Sequence, residues 1–357
     1  MTATSKTFDF SESQAAFEVE AGPKFFLGDM ILNLPRTEWL IESCVQKGGM
    51  TVIWGKPQHG KSLITVGWAC TLGSGLHRWM GQDIRHNNSK SGKIKVGYIA
   101  AEGVRGMIGR VSAWMDAHNL DPEVEGWPAV YWSDGGITFW RKPDQDQMST
   151  QQADFLHKAA EHELDVVIVD TMARTFGGGN ENTQQDMNMY LEYVSKLQEL
   201  GIAVVVVHHA NKGSEMRGST VLEGFADTVF SVEAETAGGK YHHGSLNTEK
   251  QKDGPSIGVD GSLHFVPHEY SDPDFNQPSL ALVRGTATQA RENKIEDAVL
   301  EVLSRQPLAR SKLYNAMSFR TEDIKQAIAD LVNLGKVVDG GHGKPLSLAD
   351  AEDVEEI

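Results

Sequence analysis

The sequence predicts an α/β fold: a mostly parallel, twisted sheet with an antiparallel extension, followed by a small three-helix unit with a β wing. Three observations predict it. Short runs rich in β-branched residues recur, helical periodicity fills the gaps between them, and after about residue 226 the chain changes to short segments separated by turn signals.

The runs are "MTVIW" (50–54), "KVGYIA" (95–100), "DVVIVD" (165–170) and "IAVVVV" (202–207). The last two are apolar at nearly every position, as strands covered by helices on both faces require. Residues 61–72 and 184–199 read as helices, and in the second Met187, Tyr190, Leu191, Val194 and Leu197 fall on one face. Alternating βα units of this kind imply an open sheet with right-handed crossovers. "DTVFSVE", "GSLNTEKQK" and "GSLHFVPHEY" then read as the antiparallel extension.

Composition and periodicity divide the chain into domains. Residues 1–22 form a flexible acidic arm, 23–270 the main domain, 271–293 a linker with two prolines and little periodicity, 294–347 the three-helix unit, and 348–357 an acidic tail. With 357 residues and 40% hydrophobic content, the chain is long enough for one large core and one small one. No apolar run approaches the roughly 20 residues that cross a bilayer, and the polar start lacks a signal-peptide pattern, which predicts a cytoplasmic protein without membrane contact. Cys44 and Cys70 are too few for a disulfide framework or a four-ligand zinc site. The net charge of −16 argues against a surface that grips duplex DNA throughout. Half of it, however, lies in residues 1–20 (−3) and 348–357 (−5), which leaves the body room for a basic channel.

"GKPQHGKS" follows a strand and precedes a helix, the context that makes this spacing a P-loop. The nucleotide-binding stretch is Gly55, Lys56, Pro57, Gln58, His59, Gly60, Lys61, Ser62 and Leu63. Its glycines let successive N–H groups turn toward phosphate oxygens; Lys61 supplies charge to the β and γ phosphates, and Ser62 a hydroxyl for Mg²⁺. The implied cofactors are ATP and Mg²⁺. Asp170 closes "DVVIVD" at the strand's C-terminal end, where it serves as the second metal-side ligand. Glu102, after "KVGYIAA", is the candidate base for water. His208 and His209 end "VVVVHH" as candidates to sense the γ-phosphate; adjacent strand residues point to opposite faces, so they are not a metal pair.

In this order, "GKPQHGKS", "AAEG", "VVIVDTMARTFGGGNEN", "VVVVHHANKG", "RGSTVLEGFAD" and "EKQKDG" resemble the RecA-like ATPases of the replicative helicase group. The likeness covers about residues 35–260 and is greatest to the phage and plasmid RepA-like hexameric helicases, with DnaB more distant. Two departures stand out: Gln58-His59 where small residues are usual, and Lys252 where DnaB-like proteins usually carry arginine. The resemblance implies a RecA-like sheet and a homo-oligomer, a hexameric ring with ATP between subunits. Lys61, Ser62, Glu102 and Asp170 would act in cis, while Lys250 and Lys252, or the rival Arg217, would reach the neighbour's nucleotide in trans. Strand alternation places Lys250 and Lys252 on one face and Gln251 on the other. Lysine is a point charge without arginine's planar fork, so the departure at Lys252 bears on how strongly such a finger acts.

By the same likeness, loops 172–185 and 209–219 face a central channel. Arg174, Phe176, Lys212 and Arg217 are the candidate contacts to single-stranded DNA, and the Gly-rich stretch reads equally as a flexible connection. The C-terminal unit looks like a winged-helix domain whose third helix lacks a basic face, which favours packing or docking of replication partners over DNA binding. The leading expectation is an ATP-dependent, ring-forming helicase or translocase on single-stranded DNA in phage or plasmid replication. A RecA/RadA-type recombination ATPase and a KaiC-like signalling ATPase without DNA activity are the alternatives.

Overall fold

The computed structural model describes residues 36–84, 92–142, 144–145, 147–211, 213, 216, 218, 220–237, 240–258, 260–271, 278–285, 287–333, 336–341 and 344–349. The chain divides into two compact units, Met1–Thr37 and Glu38–Ile357, and every strand and helix among the described residues belongs to the second.

In chain order, β1 (Trp39–Ile41) and β2 (Val45–Gln46) precede β3 (Met50–Gly55), which leads into α1 (Lys61–Ser74). Next come β4 (Arg78–Trp79), β5 (Gln82–Asp83), β6 (Val96–Ala100), α2 (Met107–Ala117), β7 (Val130–Ser133), α3 (Thr150–Glu161) and β8 (Val166–Asp170). The short α4 (Met172–Thr175) is followed by α5 (Gln184–Glu199), β9 (Ala203–His209) and α6 (Thr220–Phe225). The extension comprises β10 (Thr228–Ala237), β11 (Lys240–Gln251), β12 (Ser262–Ser271) and β13 (Pro278–Arg284). Last are α7 (Ala287–Arg305), α8 (Arg310–Ala316), α9 (Thr321–Asn333), β14 (Val337–Asp339) and β15 (Leu346–Leu348).

Nine strands form one sheet in the order β13-β12-β11-β10-β3-β9-β8-β6-β7. From β10 to β7 the pairs are parallel; β10 to β13 pair antiparallel. This is the mostly parallel sheet with an antiparallel extension that the sequence predicts, and β10 is the hinge between its two styles.

The near-continuous apolar runs of β8 and β9 have the expected cause. Every residue of β8 is buried, because helices cover both faces. On one face Ile53, Tyr98, Ile168 and Val205 pack with Trp68 of α1 and Trp114 of α2. On the other, Val52, Ile99, Val167 and Val206 pack with Leu156 of α3 and with Tyr190 and Val194 of α5. The helices start where their sequences place caps: Ser149 and Gln152 make a reciprocal capping box on α3, and Thr183 accepts from the Asp186 N–H on α5.

Two segments differ from the sequence reading. Residues 278–284, expected within a linker, form β13, which runs antiparallel to β12 along seven register pairs. Pro278 starts that strand on the sheet's edge, where its missing N–H costs no ladder bond. Residues 287–293 belong to the beginning of α7, so 278–284 and 287–293 are an edge strand and a helix start instead of a free linker. The fifth parallel neighbour, β7 "VYWS", is short and half-exposed at the opposite edge, and it carries no apolar run for the sequence to announce.

In the C-terminal unit α7, α8 and α9 and the antiparallel pair β14–β15 enclose a separate core that includes Val299, Leu313, Ile324, Ile328 and Leu346. Lys325, the one lysine in the α9 sequence, bonds Glu322 at 2.8 Å.

Candidate nucleotide site

β3 ends at Gly55, and the chain turns through Lys56–Gly60 before α1 begins at Lys61. Gly60 is the N-cap of α1 with φ 88, a left-handed conformation that glycine adopts at little cost. A Cβ there would also lie 3.0 Å from the Tyr241 hydroxyl. Lys56, Pro57 and Gln58 are exposed, while Leu63 packs against the apolar core beneath α1.

The unusual His59 has a structural role. Its Nδ1 lies 3.2 Å from the Val232 carbonyl, and its own carbonyl accepts from the Tyr241 hydroxyl at 3.3 Å. Two side-chain contacts therefore fasten the crown of the loop to β10 and β11. A cavity of about 570 Å³ adjoins this wall, bounded by Trp54, Lys56, His59, Met216 and Glu249 among others.

Lys61 is buried, and its Nζ donates to the carbonyls of Gly55 (2.9 Å) and Lys56 (2.8 Å). Burial lowers its pKa to about 8, against the pull of the Asp170 and Glu102 carboxylates. Asp170 is also buried, at the rim end of β8. Its Oδ2 accepts from the Tyr98 hydroxyl at 2.7 Å, and the Ser62 side chain hydrogen-bonds it as well. Burial pushes its pKa up despite both bonds. A buried carboxylate beside a serine hydroxyl is a pair of hard oxygen donors, which fits Mg²⁺ held together with nucleotide phosphates and waters. No cage of three or more His, Cys, Asp or Glu occurs among the described residues.

Glu102 comes to the same rim from the end of β6. Its Oε1 accepts from Thr171 Oγ1 at 3.1 Å and lies 3.8 Å from both Arg174 Nε and His209 Nε2. The sequence-predicted Lys61, Ser62, Glu102, Asp170 and His209 are thus brought together. His208 is not. Strand alternation turns it to the opposite face of β9, fully buried, where a Cβ on Gly218 would sit 3.5 Å from His208 Nε2 and 3.7 Å from Met187 Cε. Its assignment beside His209 as a catalytic group is corrected: one of the two histidines faces Glu102, and the other belongs to the interior.

Phe176 is corrected too. Expected on a DNA-facing loop, it is 3% exposed and stacks on Tyr190 at 5.2 Å with the rings 9° apart. Two of the glycines that follow it leave no room for a side chain. A Cβ on Gly177 would lie 2.4 Å from Thr138 Oγ1, and one on Gly179 2.5 Å from Trp140 Nε1, so this stretch is a close contact and not a loose connection. Trp140 Nε1 in turn donates to Asp186 at 3.1 Å. Arg174 remains exposed. Lys212 and Arg217 lie outside the described residues.

In their own chain Lys250 and Lys252 contact different groups, neither of them in the P-loop. Lys250 Nζ donates to the carbonyls of Glu223 (2.8 Å) and Gly224 (3.0 Å) at the end of α6. Lys252 Nζ contacts Asp227 Oδ1 at 3.3 Å. Gln251 points away, bonding Thr228 and the Ser43 carbonyl. Asp227 also accepts from the Met50 N–H, at the start of β3, whereas the P-loop begins at the end of that strand. The six residues of β3 separate the two ends by about 17 Å.

Sequence reasoning missed Tyr98, which donates to Asp170, and Thr65, which contacts the Tyr98 hydroxyl. The available signal was a tyrosine inside an otherwise apolar buried run, since a buried phenol needs a hydrogen-bond partner.

The family model described as AAA domain matches residues 19–215, a span that takes in the P-loop, Glu102, Asp170 and His209. Among solved structures, the flagellar accessory protein FlaH from Methanocaldococcus jannaschii is similar at 12% identity and a TM-score of 0.39, over 68% of this chain and 92% of that one. No curated protein matches.

Proposed function

This chain belongs to the AAA domain family, as a P-loop ATPase, and from that premise we propose that it is an ATP-driven, ring-forming helicase or translocase on single-stranded DNA in phage or plasmid replication. The observation that carries the reading is the placement of Lys250 and Lys252 at the rim opposite their own P-loop. Cations at the start of β3, away from the P-loop at its end, serve hydrolysis from a neighbouring copy, and head-to-tail copies form a ring where the rotation between them closes.

The chemistry divides among this chain's residues. Lys61 leaves the Gly55 and Lys56 carbonyls to pair with the β and γ phosphates. Ser62 and Asp170 would hold Mg²⁺, which when bound would neutralise charge on those phosphates. Glu102 orients and deprotonates the attacking water, with Thr171 and His209 fixing its carboxylate. Strand contact falls to Arg174, and to Lys212 and Arg217, repeated around the ring. The C-terminal unit, which we read as winged-helix-like, docks partners, because its α9 presents Glu322, Asp323 and Asp330 against a single lysine.

A strand-displacement assay on forked DNA, with the assembled oligomer verified beforehand, tests the proposal. ATP-dependent unwinding is expected. Its absence, with ATP turnover intact, sinks the helicase reading, and long filaments on single-stranded DNA would favour a recombination ATPase.

A further inference from the structure

We propose that Tyr98, together with Thr65, is a positioning residue of the metal side of this site: its hydroxyl fixes Asp170 so that the carboxylate faces Ser62. The inference rests on the P-loop ATPase reading and needs neither DNA nor a ring. Tyr98 lies in the centre of β6, paired in register with Ile168, and by alternation it faces the same side of the sheet as Asp170 two residues further along β8. Its hydroxyl donates to Asp170 Oδ2 at 2.7 Å and lies 2.8 Å from Thr65 Oγ1. Thr65 opens the second turn of α1, within reach of the Lys61 and Ser62 carbonyls at 3.3 and 3.2 Å. The ring is held in turn by Trp132 of β7, with centroids 4.9 Å apart.

All three polar groups are out of water: Tyr98 and Thr65 are fully buried and Asp170 is 4% exposed. With Tyr98 donating to the carboxylate, the Thr65 hydroxyl is free to donate to Tyr98 or back to its own helix. In the first arrangement a single chain of bonds runs from the P-loop helix to the carboxylate, and each bond polarises the next. The orientation of Asp170 is thereby tied to the helix that carries Lys61 and Ser62. Phenylalanine at position 98 keeps the ring and its contact with Trp132 but leaves Oδ2 of a buried carboxylate without this donor, free to rotate away from Ser62.

The test compares wild type, Tyr98→Phe and Thr65→Val for binding of a fluorescent ATP analogue in EDTA and across a Mg²⁺ titration. Mn²⁺ binding to the nucleotide complex is followed by electron paramagnetic resonance. Partners of this kind typically alter metal affinity by about 10–100-fold. Tyr98→Phe is expected to weaken Mg²⁺ and Mn²⁺ by about tenfold while nucleotide binding in EDTA stays at the wild-type level. Thr65→Val should move the same readouts in the same direction by less, since Tyr98 still donates. Metal affinity unchanged in both variants overturns the inference, as does an equal loss of nucleotide binding with and without metal. Failure of the wild type itself to bind the metal–nucleotide pair overturns the ATPase site instead.

Discussion

Glu102 sits among Thr171, Arg174 and His209, and that surrounding defines what its loss should do. Glu102→Gln preserves size and hydrogen bonding but removes the base, so turnover should fall by about 10²–10⁴-fold while affinity for an ATP analogue is retained. Steady-state hydrolysis beside fluorescence binding checks the split. Phe176 and Arg174, two residues apart, should separate cleanly. Phe176→Ala deletes a ring stacked in the core and should cost about 3–5 kcal/mol in urea unfolding. Arg174→Ala, at an exposed position, should change stability by no more than about 0.5 kcal/mol and, on the proposed function, weaken single-strand binding. The contrast shows what spacing conveys. Lys61, Ser62, Glu102 and Asp170 were legible because each has a fixed place relative to a strand end. Phe176 was not, because burial of an aromatic after "MART" depends on Tyr190, fourteen residues away on α5.

At the scale of elements, β8 and β9 could be read directly, since helices on both faces demand apolar residues at every position. β13 could not, because an edge strand that begins with proline has the composition of a linker. The glycine run after Phe176 is the subtler case. It resembles a hinge in sequence, yet Trp140 lies over it so closely that Gly179→Ala would place a Cβ 2.5 Å from the indole nitrogen. That substitution should destabilise the fold by about 1–3 kcal/mol through overpacking, measured by the midpoint of urea denaturation. A flexible connection would tolerate alanine, or gain a little stability from it.

The whole molecule presents its nucleotide site at one rim of the sheet and its paired lysines at the other. Lys252 falls just past the end of β11, beyond the reach of strand alternation; what the sequence could not supply was the rim of the sheet at which the two lysines lie within the chain. Register did so, by pairing Lys250 with Val229 and by bringing Asp227 to the start of β3. On the proposed function, this polarity gives one copy half of a site and its neighbour the other half. The direct test mixes two inactive variants, Lys61→Ala and Lys252→Ala, and measures ATP turnover after co-assembly is verified by native mass spectrometry. At an interface where the Lys252→Ala subunit supplies the P-loop and the Lys61→Ala subunit supplies the lysine, a complete site forms, so turnover should recover in the mixture although neither variant alone is active. Mixed rings that stay as inactive as their parents would contradict a site shared between copies.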